Sequence, residues 1–188
     1  MSFPRPLAVV VAALVALAGA AWGQEEQSPA NQPRHSVSLQ TVVARQLIGT
    51  WRLVSRDTTT ANGQKVVDPG LGSRPVGYLI YDASGHVSAQ LMRTGRSSAD
   101  MENCGSRQTK GDNNPVILCG YDAYFGTYSF EGVNRVVHHI EMAVSPDDVG
   151  RDVHRSFLLK GNQLIISFPT TTADGQPAKR TLVWERVQ

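Results

Sequence analysis

Two neighbouring β-rich runs of the sequence hold the side chains best suited to chemistry. His138 and His139 are adjacent, and successive side chains of a strand point to opposite faces. The two imidazoles therefore cannot bind one metal ion on the same face. His138 alternates with apolar residues and is predicted to face inwards, whereas His139 is predicted to face outwards. The inward face would comprise Val136, His138, Ile140 and Met142, and the outward face Arg135, His139 and Glu141.

Arg155 is the second residue that could do chemistry from an apolar interior. Arg155 belongs to a series spaced two residues apart on one strand face, with its apolar neighbours Val153, Phe157 and Leu159. Its guanidinium is therefore predicted to point inwards with them. An unpaired buried charge costs several kcal/mol, so Arg155 needs a partner. Two interpretations stay open. An internal acid or backbone carbonyls could neutralise Arg155 and leave it a structural role, or Arg155 could anchor the carboxylate or other polar head of a small, mainly apolar ligand.

Tyrosines are the third kind of candidate. Most aromatic side chains on strands pack in a core, but a tyrosine hydroxyl in an interior needs a hydrogen-bond partner and so indicates a polar pocket. Tyr124, Tyr128 and Phe130 share one face of their run, while Tyr78 and Tyr81 lie on opposite faces of theirs. The candidate ligand-binding residues are His138, Arg155, Tyr128, Tyr124, Tyr78 and Gln90.

Signatures of common enzyme and cofactor sites are missing from the sequence. It contains no Gly-x-Ser-x-Gly, no phosphate-binding glycine loop and no His-Glu-x-x-His. A single inward histidine is more often a core residue than a haem ligand, and two cysteines supply too few ligands for zinc. We therefore expect no cofactor and no metal, and leave open whether the protein is an enzyme. A formal net charge of +2 without a basic cluster gives no support for nucleic-acid binding.

The N-terminus has the pattern of a secretory signal. Arg5 is the only charged residue before Glu25, and residues 7–21 are apolar or small. This stretch is shorter than the roughly 20 residues that span a bilayer, although an uncleaved anchor is an alternative. We predict a signal peptide over 1–23 with cleavage near Gly23-Gln24, a flexible leader over 24–38, and one domain over 39–188. The protein would then be secreted or exported to a bacterial periplasm, with no other membrane contact.

Export changes the interpretation of Cys104 and Cys119. In an oxidising compartment two cysteines more often form a bridge than a redox or metal pair. The bridge would close a loop of about 15 residues and contribute about 3 kcal/mol in the chain-entropy model. Free thiols are the alternative.

The elements that must position these residues are almost all strands. Short β-rich runs alternate with turn sequences such as Asp82-Ala83-Ser84-Gly85 and Lys160-Gly161-Asn162. Sequential hairpins predict an antiparallel up-and-down meander, and closing eight strands into a barrel removes the exposed edges. The predicted strands are 47–58, 76–81, 86–93, 124–130, 135–144, 151–159, 163–169 and 179–187. The long polar segment 94–122 is predicted to be either a functional lid or a disordered segment, and the expected disulfide favours an ordered lid; one short helix could begin within 115–119.

Barrel closure has its own signature. Gly49-x-Trp51 in the first strand lets an indole lie across one end of a barrel, and Arg186 in the last strand could stack on that indole. This pairing resembles the lipocalin closing motif. The chain as a whole is similar to the lipocalin-like domain family of bacterial and fungal proteins, on the segments 47–55, 75–81, 85–90, 124–128, 137–141, 149–150 with Arg155, and 182–186. The lid holding both cysteines is longer than that family leads us to expect.

The resemblance implies an all-β, eight-stranded calycin-type barrel with little helix. It implies a function less firmly, because the family's biochemical role is poorly defined. Our leading hypothesis is an exported protein that binds a small hydrophobic or amphipathic molecule inside the barrel, since an eight-stranded barrel has room for one small ligand. The alternatives are a cofactor-free isomerase or cyclase that uses the same pocket, and a structural envelope protein with a filled core. The oligomeric state stays open.

Overall fold

The computed structural model describes residues 39–102, 104 and 117–188. The predicted signal peptide, the predicted leader and the central part of the predicted lid lie outside these residues. The described elements are the helix α1 (Leu39–Leu47), strands β1 (Gly49–Thr60), β2 (Lys65–Val66), β3 (Val76–Tyr81) and β4 (His86–Met92), the short helix α2 (Ser98–Glu102), strands β5 (Tyr121–Phe130) and β6 (Arg135–Ala143), a 3-10 turn (Pro146–Asp148), and strands β7 (Asp152–Lys160), β8 (Gln163–Thr171) and β9 (Pro177–Arg186).

The strands form one antiparallel sheet that closes on itself. Its order is β2-β1-β3-β4-β5-β6-β7-β8-β9, and β1 also pairs with β9, so that eight strands make a closed barrel. The extra strand β2 pairs with the far end of β1 through Thr58 and Thr59. The predicted fold class, an eight-stranded up-and-down barrel with little helix, is confirmed.

The start of the barrel differs from the sequence prediction. The first strand was predicted to begin at Leu47, but Leu47 is the last residue of α1 and is fully buried. Its carbonyl accepts a hydrogen bond of 2.9 Å from Trp51 Nε1. The helix therefore covers this end of the barrel, and β1 begins only at Gly49.

The closing residues lie together at the same end. The guanidinium of Arg186 stacks 4.1 Å from the centre of the Trp51 ring and donates to the carbonyl of Ile48 at 2.7 Å. It also donates to the carbonyl of Gln46. Gly49 has φ of +141°, and a Cβ there would collide with the guanidinium of Arg186. A side chain at position 49 would thus be strained by the backbone conformation and would have to displace the guanidinium of Arg186.

Two β-bulges change which residues face inwards. A bulge between Leu53 and Ser55 shifts the register of β1 against β9, so that Arg56 and Thr58 turn inwards. A second irregularity, opposite Phe125 and Gly126, shifts β6. Met142 is therefore exposed, and its predicted inward position is wrong. Because a bulge adds one residue to a strand, it reverses the alternation beyond it.

The helix predicted within 115–119 is not observed at residues 117–119; residues 115 and 116 are not described. Leu118 and Tyr121 exchange backbone hydrogen bonds of 2.8 Å in both directions, which makes a tight turn. Cys119 at φ +50° and Gly120 at φ +74° have left-handed conformations that a right-handed helix cannot contain. Strand β5 then begins at Tyr121, earlier than predicted.

The predicted disulfide is present. Cys104 and Cys119 are bonded, with their Cα atoms 4.9 Å apart. The bridge connects the residue that closely follows α2 to the turn before β5. Among the described residues, no helix is long and apolar enough to cross a membrane.

Candidate functional site

A small cavity of about 40 Å³ lies inside the barrel. Its polar lining comes from five strands and includes Arg56, Asp122, Tyr124, His138, Arg155 and Trp184. Its apolar lining is Leu79, Ala89, Leu91, Ile166, Phe168 and Leu182. Since one water needs about 10–15 Å³ of such space, the cavity holds about three water-sized groups.

His138 lies between two tyrosines in the interior. Its Nε2 is 2.7 Å from the hydroxyl of Tyr81, and its Nδ1 is 2.8 Å from the hydroxyl of Tyr124. Burial, aided by the nearby charge of Arg155, holds the pKa of His138 well below its usual range. The imidazole is therefore neutral at physiological pH, with one donor and one acceptor nitrogen.

Arg155 also contacts the hydroxyl of Tyr124. It hydrogen-bonds that hydroxyl, and a guanidinium can only donate, so the hydroxyl accepts. Arg155, Tyr124, His138 and Tyr81 therefore form one connected chain of hydrogen bonds inside the barrel.

Arg155 itself is buried and held on several sides. Its guanidinium lies 3.8 Å from the centre of the Phe168 ring, and its Nη1 donates to the carbonyl of His154 at 3.0 Å. Burial lowers the pKa of Arg155, and the nearby Tyr124, Tyr81 and Asp122 act in the opposite direction. A carbonyl and a hydroxyl thus satisfy part of the guanidinium, as the structural interpretation made from the sequence expects, and Arg155 also lines the cavity.

Asp122 is the acidic residue of the cavity wall. Burial raises its pKa to about 7, although Arg56 and Arg155 act to lower it. A carboxyl with this pKa exchanges a proton near neutral pH, which is the property that general acid–base chemistry needs. Asp122 thus gives the cavity a titratable group in addition to its fixed cations.

A buried ion-pair cluster closes the barrel at the end opposite Trp51. Asp68 accepts from Arg56 at 2.6 Å and from Arg180 at 3.0 Å. Its other oxygen accepts from the backbone N–H groups of Gly70 and Leu71. Burial alone would raise the pKa of Asp68, but the two arginines and these hydrogen bonds hold it below its ordinary value. The cluster fixes the segment 68–72 against the barrel wall.

Trp184 carries an unsatisfied donor. The side chain is 2% exposed and lines the cavity, and its Nε1–H is buried without a hydrogen-bond partner in the part of the chain that the structure describes. Buried donors are nearly always paired in native proteins, with protein groups, water or a ligand. Among the described residues, Trp184 thus places a buried donor without an acceptor on a side chain of the cavity wall.

The six predicted ligand-binding residues fall into three groups. His138, Arg155 and Tyr124 line the cavity. Tyr128 is half-buried, and its hydroxyl donates to the carbonyl of Asp82 at 2.9 Å, so it lies next to Tyr81 rather than in the cavity lining. Tyr78 and Gln90 are opposite each other on the outer face, both exposed, and their predicted place in an interior site is wrong. On β3 the residues that face the interior are Leu79 and Tyr81.

Several residues of the site were not among the predicted ones. Tyr81 shares a face with Leu79, and Trp184 shares one with Leu182, so parity alone could have found both. Asp122 was missed because its strand begins earlier than predicted. Arg56 depends on a bulge that the sequence does not signal. In the described part of the chain, no three His, Cys, Asp or Glu side chains are grouped to hold a metal ion.

The comparison with protein families agrees with the geometry. The profile of the lipocalin-like domain matches residues 48–187, which is most of the chain and the whole of the barrel from β1 onwards. The comparison with curated proteins finds no match. The chain therefore belongs to the lipocalin-like domain family, whose barrel is a general ligand-binding fold.

Proposed function

We propose that the barrel binds a small amphipathic molecule, whose polar head occupies the interior cavity. The observation that carries this proposal is the buried Nε1–H of Trp184, which has no acceptor among the described residues and belongs to a side chain that lines the cavity. A carboxylate, carbonyl or hydroxyl oxygen of a ligand would supply that acceptor. A buried donor left unsatisfied costs about 1–3 kcal/mol, and binding would recover this amount.

The charges of the wall favour an anionic or strongly accepting head group. Arg56 and Arg155 place two cations at the cavity, and Asp122 is largely protonated below its pKa of about 7. A protonated carboxyl donates a hydrogen bond instead of repelling an anion. The remaining wall is aliphatic or aromatic and suits the first carbons of an apolar tail.

The size of the cavity limits the ligand. Pockets for drug-sized molecules measure about 300–1,000 Å³, several times the 40 Å³ found here. A short carboxylic acid is closest to the size of this cavity, whereas a longer tail needs more space than the cavity provides. We therefore expect short-chain molecules to bind most readily.

Native mass spectrometry and a titration series test the proposal. Native mass spectrometry of the purified protein detects a retained ligand. Acetate, butyrate and octanoate are then each titrated into the protein, with 1-butanol as the uncharged comparison ligand. Arg155→Met should weaken carboxylate binding by about 1.5–3 kcal/mol, the value of a charge-assisted hydrogen bond, while the exposed control Gln90→Ala should not. No retained ligand and no saturable binding of any member of the series would instead support a filled structural core.

The raised pKa of Asp122 favours a second candidate function, a cofactor-free isomerase or cyclase. Asp122 lines the same cavity as Tyr124 and Arg155, so a proton acceptor, a hydroxyl and a cation would face one bound carbonyl compound. Such an arrangement suits proton abstraction next to a carbonyl group. Deuterium uptake by cyclopentanone in D₂O, followed by NMR, should then be accelerated by the protein and lost in Asp122→Asn. Uptake at the buffer rate would leave binding as the function.

We also propose that the protein is exported. The support is the apolar N-terminal stretch that follows Arg5 and the small residues near Gly23, and the disulfide between Cys104 and Cys119 is compatible with an oxidising compartment. N-terminal sequencing of the protein from its native host should give a mature chain that begins near Gln24. A retained Met1 in the native protein would contradict export by cleavage.

A further inference from the structure

Three side chains on the outer surface of the barrel form a hydrogen-bonded relay. Ser129 Oγ is 2.8 Å from Nε2 of His139, and Nδ1 of His139 is 2.6 Å from an Oδ1 oxygen of Asp152. The three residues come from adjacent strands β5, β6 and β7, and His139 and Asp152 are direct cross-strand partners. The relay is separate from the interior cavity, because all three side chains lie on the opposite face of the sheet.

The chemistry of the three groups sets the direction of each hydrogen bond. A carboxylate only accepts, so Nδ1 of His139 carries a proton and donates it to Asp152. In the neutral imidazole, Nε2 then holds a lone pair that accepts from the hydroxyl of Ser129. A base in contact with a nucleophile, itself oriented by a third group, is the arrangement that activates a serine for acyl transfer.

We propose that Ser129, His139 and Asp152 form a nucleophilic site that hydrolyses small, unhindered carboxylic esters. Ser129 Oγ attacks the ester carbonyl carbon, and its proton passes to Nε2 of His139. The bond between that carbon and the alcohol oxygen then breaks, and His139 returns the proton to the departing alcohol. Nε2 of His139 then takes a proton from water, and the resulting hydroxide attacks the carbonyl carbon of the acyl-serine. The bond between that carbon and Ser129 Oγ breaks, the carboxylic acid leaves, and His139 returns the proton to Oγ.

Exposure of the site supports access and sets the substrate class. Ser129 is exposed, and the side chains of His139 and Asp152 are 39% and 58% exposed, so an ester reaches the hydroxyl from solvent without any opening of the barrel. A site on an open sheet face selects for a reactive, unhindered ester rather than for a long or specific acyl chain. General-base assistance of this kind contributes about 10²–10⁴-fold to a rate.

A second group of one serine, one histidine and one aspartate in the same chain provides a matched control. In the turn after β3, Ser84 Oγ is 2.9 Å from Nδ1 of His86, and Asp82 lies 3.2 Å from that same nitrogen. Serine and carboxylate therefore share one ring nitrogen, and no relay runs through the imidazole. Ser84 also contacts Asp82 directly at 2.8 Å. Ser84 is expected to be no more reactive than an ordinary surface serine.

Acylation of the full-length protein tests the proposal. With p-nitrophenyl acetate, release of p-nitrophenolate should exceed the background of surface imidazoles by about 10²-fold or more. A fluorophosphonate probe should label one serine, which peptide mass spectrometry should place at position 129. Ser129→Ala should abolish both signals, and Ser84→Ala should leave both unchanged. Labelling elsewhere, or a rate that Ser129→Ala does not lower, would overturn the proposal.

Asp152→Asn separates a working relay from a structural contact. An asparagine at 152 can still hydrogen-bond the imidazole, but it no longer holds the proton on Nδ1 as a carboxylate does. Labelling at Ser129 should fall about as far as in His139→Gln, with unchanged thermal melting of both variants. If Asp152→Asn keeps the labelling rate of the wild-type protein, the relay does not activate Ser129 and the proposal fails.

Discussion

Arg56 and Asp68 form an ion pair of 2.6 Å in which each side chain is only 4% exposed. Arg56 also lines the interior cavity, while Asp68 belongs to the segment that covers this end of the barrel. The pair therefore joins the wall of the candidate site to the segment 68–72. Its strength contributes to the stability of the barrel and holds Arg56 in place beside the cavity.

Removal of the charge on Asp68 should destabilise the fold. Asp68→Asn leaves Arg56 and Arg180 buried without their anion, which costs about 3–5 kcal/mol for a buried pair. The control Asp57→Asn breaks only the exposed pair with Lys65 and should cost about 0–1 kcal/mol. Urea unfolding of both variants measures the difference, and equal losses would contradict the role of the cluster.

Asp68 should also make the fold sensitive to acid. Its folded pKa is below its ordinary value of 3.8, so the stabilisation is fully present above the unfolded pKa and is lost as the pH falls through the folded pKa. The free energy of unfolding, measured with urea from about pH 5 to about pH 2, should fall steeply in the wild-type protein. The loss should be smaller in Asp68→Asn, and an equal loss would mean that other carboxylates determine it.

Asp122 should act in the opposite sense and at higher pH. Its folded pKa of about 7 lies above its unfolded value near 3.8, so the folded protein binds the extra proton and stability falls as the pH rises from about 4 to about 7. Three pH units correspond to about 4 kcal/mol. Asp122→Asn should flatten the slope of the unfolding free energy over this range. A slope that the variant shares with the wild-type protein would place the pKa of Asp122 in the ordinary range.

Gly49→Ala should disrupt the closed end of the barrel. The position combines a positive φ with the guanidinium of Arg186 where a Cβ would lie. The control Gly63→Ala, at φ +84° with open space around it, has the backbone cost of about 1 kcal/mol but no collision. We expect Gly49→Ala to lose about 1–3 kcal/mol more, as measured by thermal melting. Equal losses in the two variants would show that Arg186 adapts without cost.

Reduction of the Cys104–Cys119 bridge should lower the free energy of unfolding by about 3 kcal/mol, because the bridge spans 15 residues and restricts the unfolded chain. Intact mass of the unreduced, denatured protein after alkylation checks the bond itself. Alkylation of both thiols without reductant would contradict the bridge.

Short-range sequence patterns were enough to predict the barrel architecture. Turn residues such as Asp82 to Gly85 separate runs of strict alternation, and closure of eight such runs removes all edges, so the architecture follows from short-range patterns. The helix α1 was missed because Leu47 continues the apolar run of β1 in the sequence, although its carbonyl accepts a hydrogen bond from the indole of Trp51 four residues later.

The candidate site was less accessible to sequence reasoning. His138 and Arg155 lie on stretches of strand before any bulge, where alternation holds and parity placed them in the interior, and Tyr124 shares the inward face of β5. Arg56 and Met142 lie beyond bulges, where parity reverses without a sequence signal. No contiguous sequence motif contains the relay of Ser129, His139 and Asp152, because its residues come from three strands. Their contact depends on the cross-strand register.

The indole N–H resonances of the two barrel tryptophans report whether a ligand head group enters the interior cavity. Trp51 Nε1–H is bonded to the carbonyl of Leu47, whereas Trp184 Nε1–H has no acceptor among the described residues and belongs to a side chain that lines the cavity. With ¹⁵N-labelled Trp22→Phe protein, titration with butyrate should shift the Trp184 signal downfield and saturably, and leave the Trp51 signal in place. If neither signal moves while acetate, butyrate and octanoate are each raised to saturating concentrations, the interior does not bind a ligand head group and the account is contradicted.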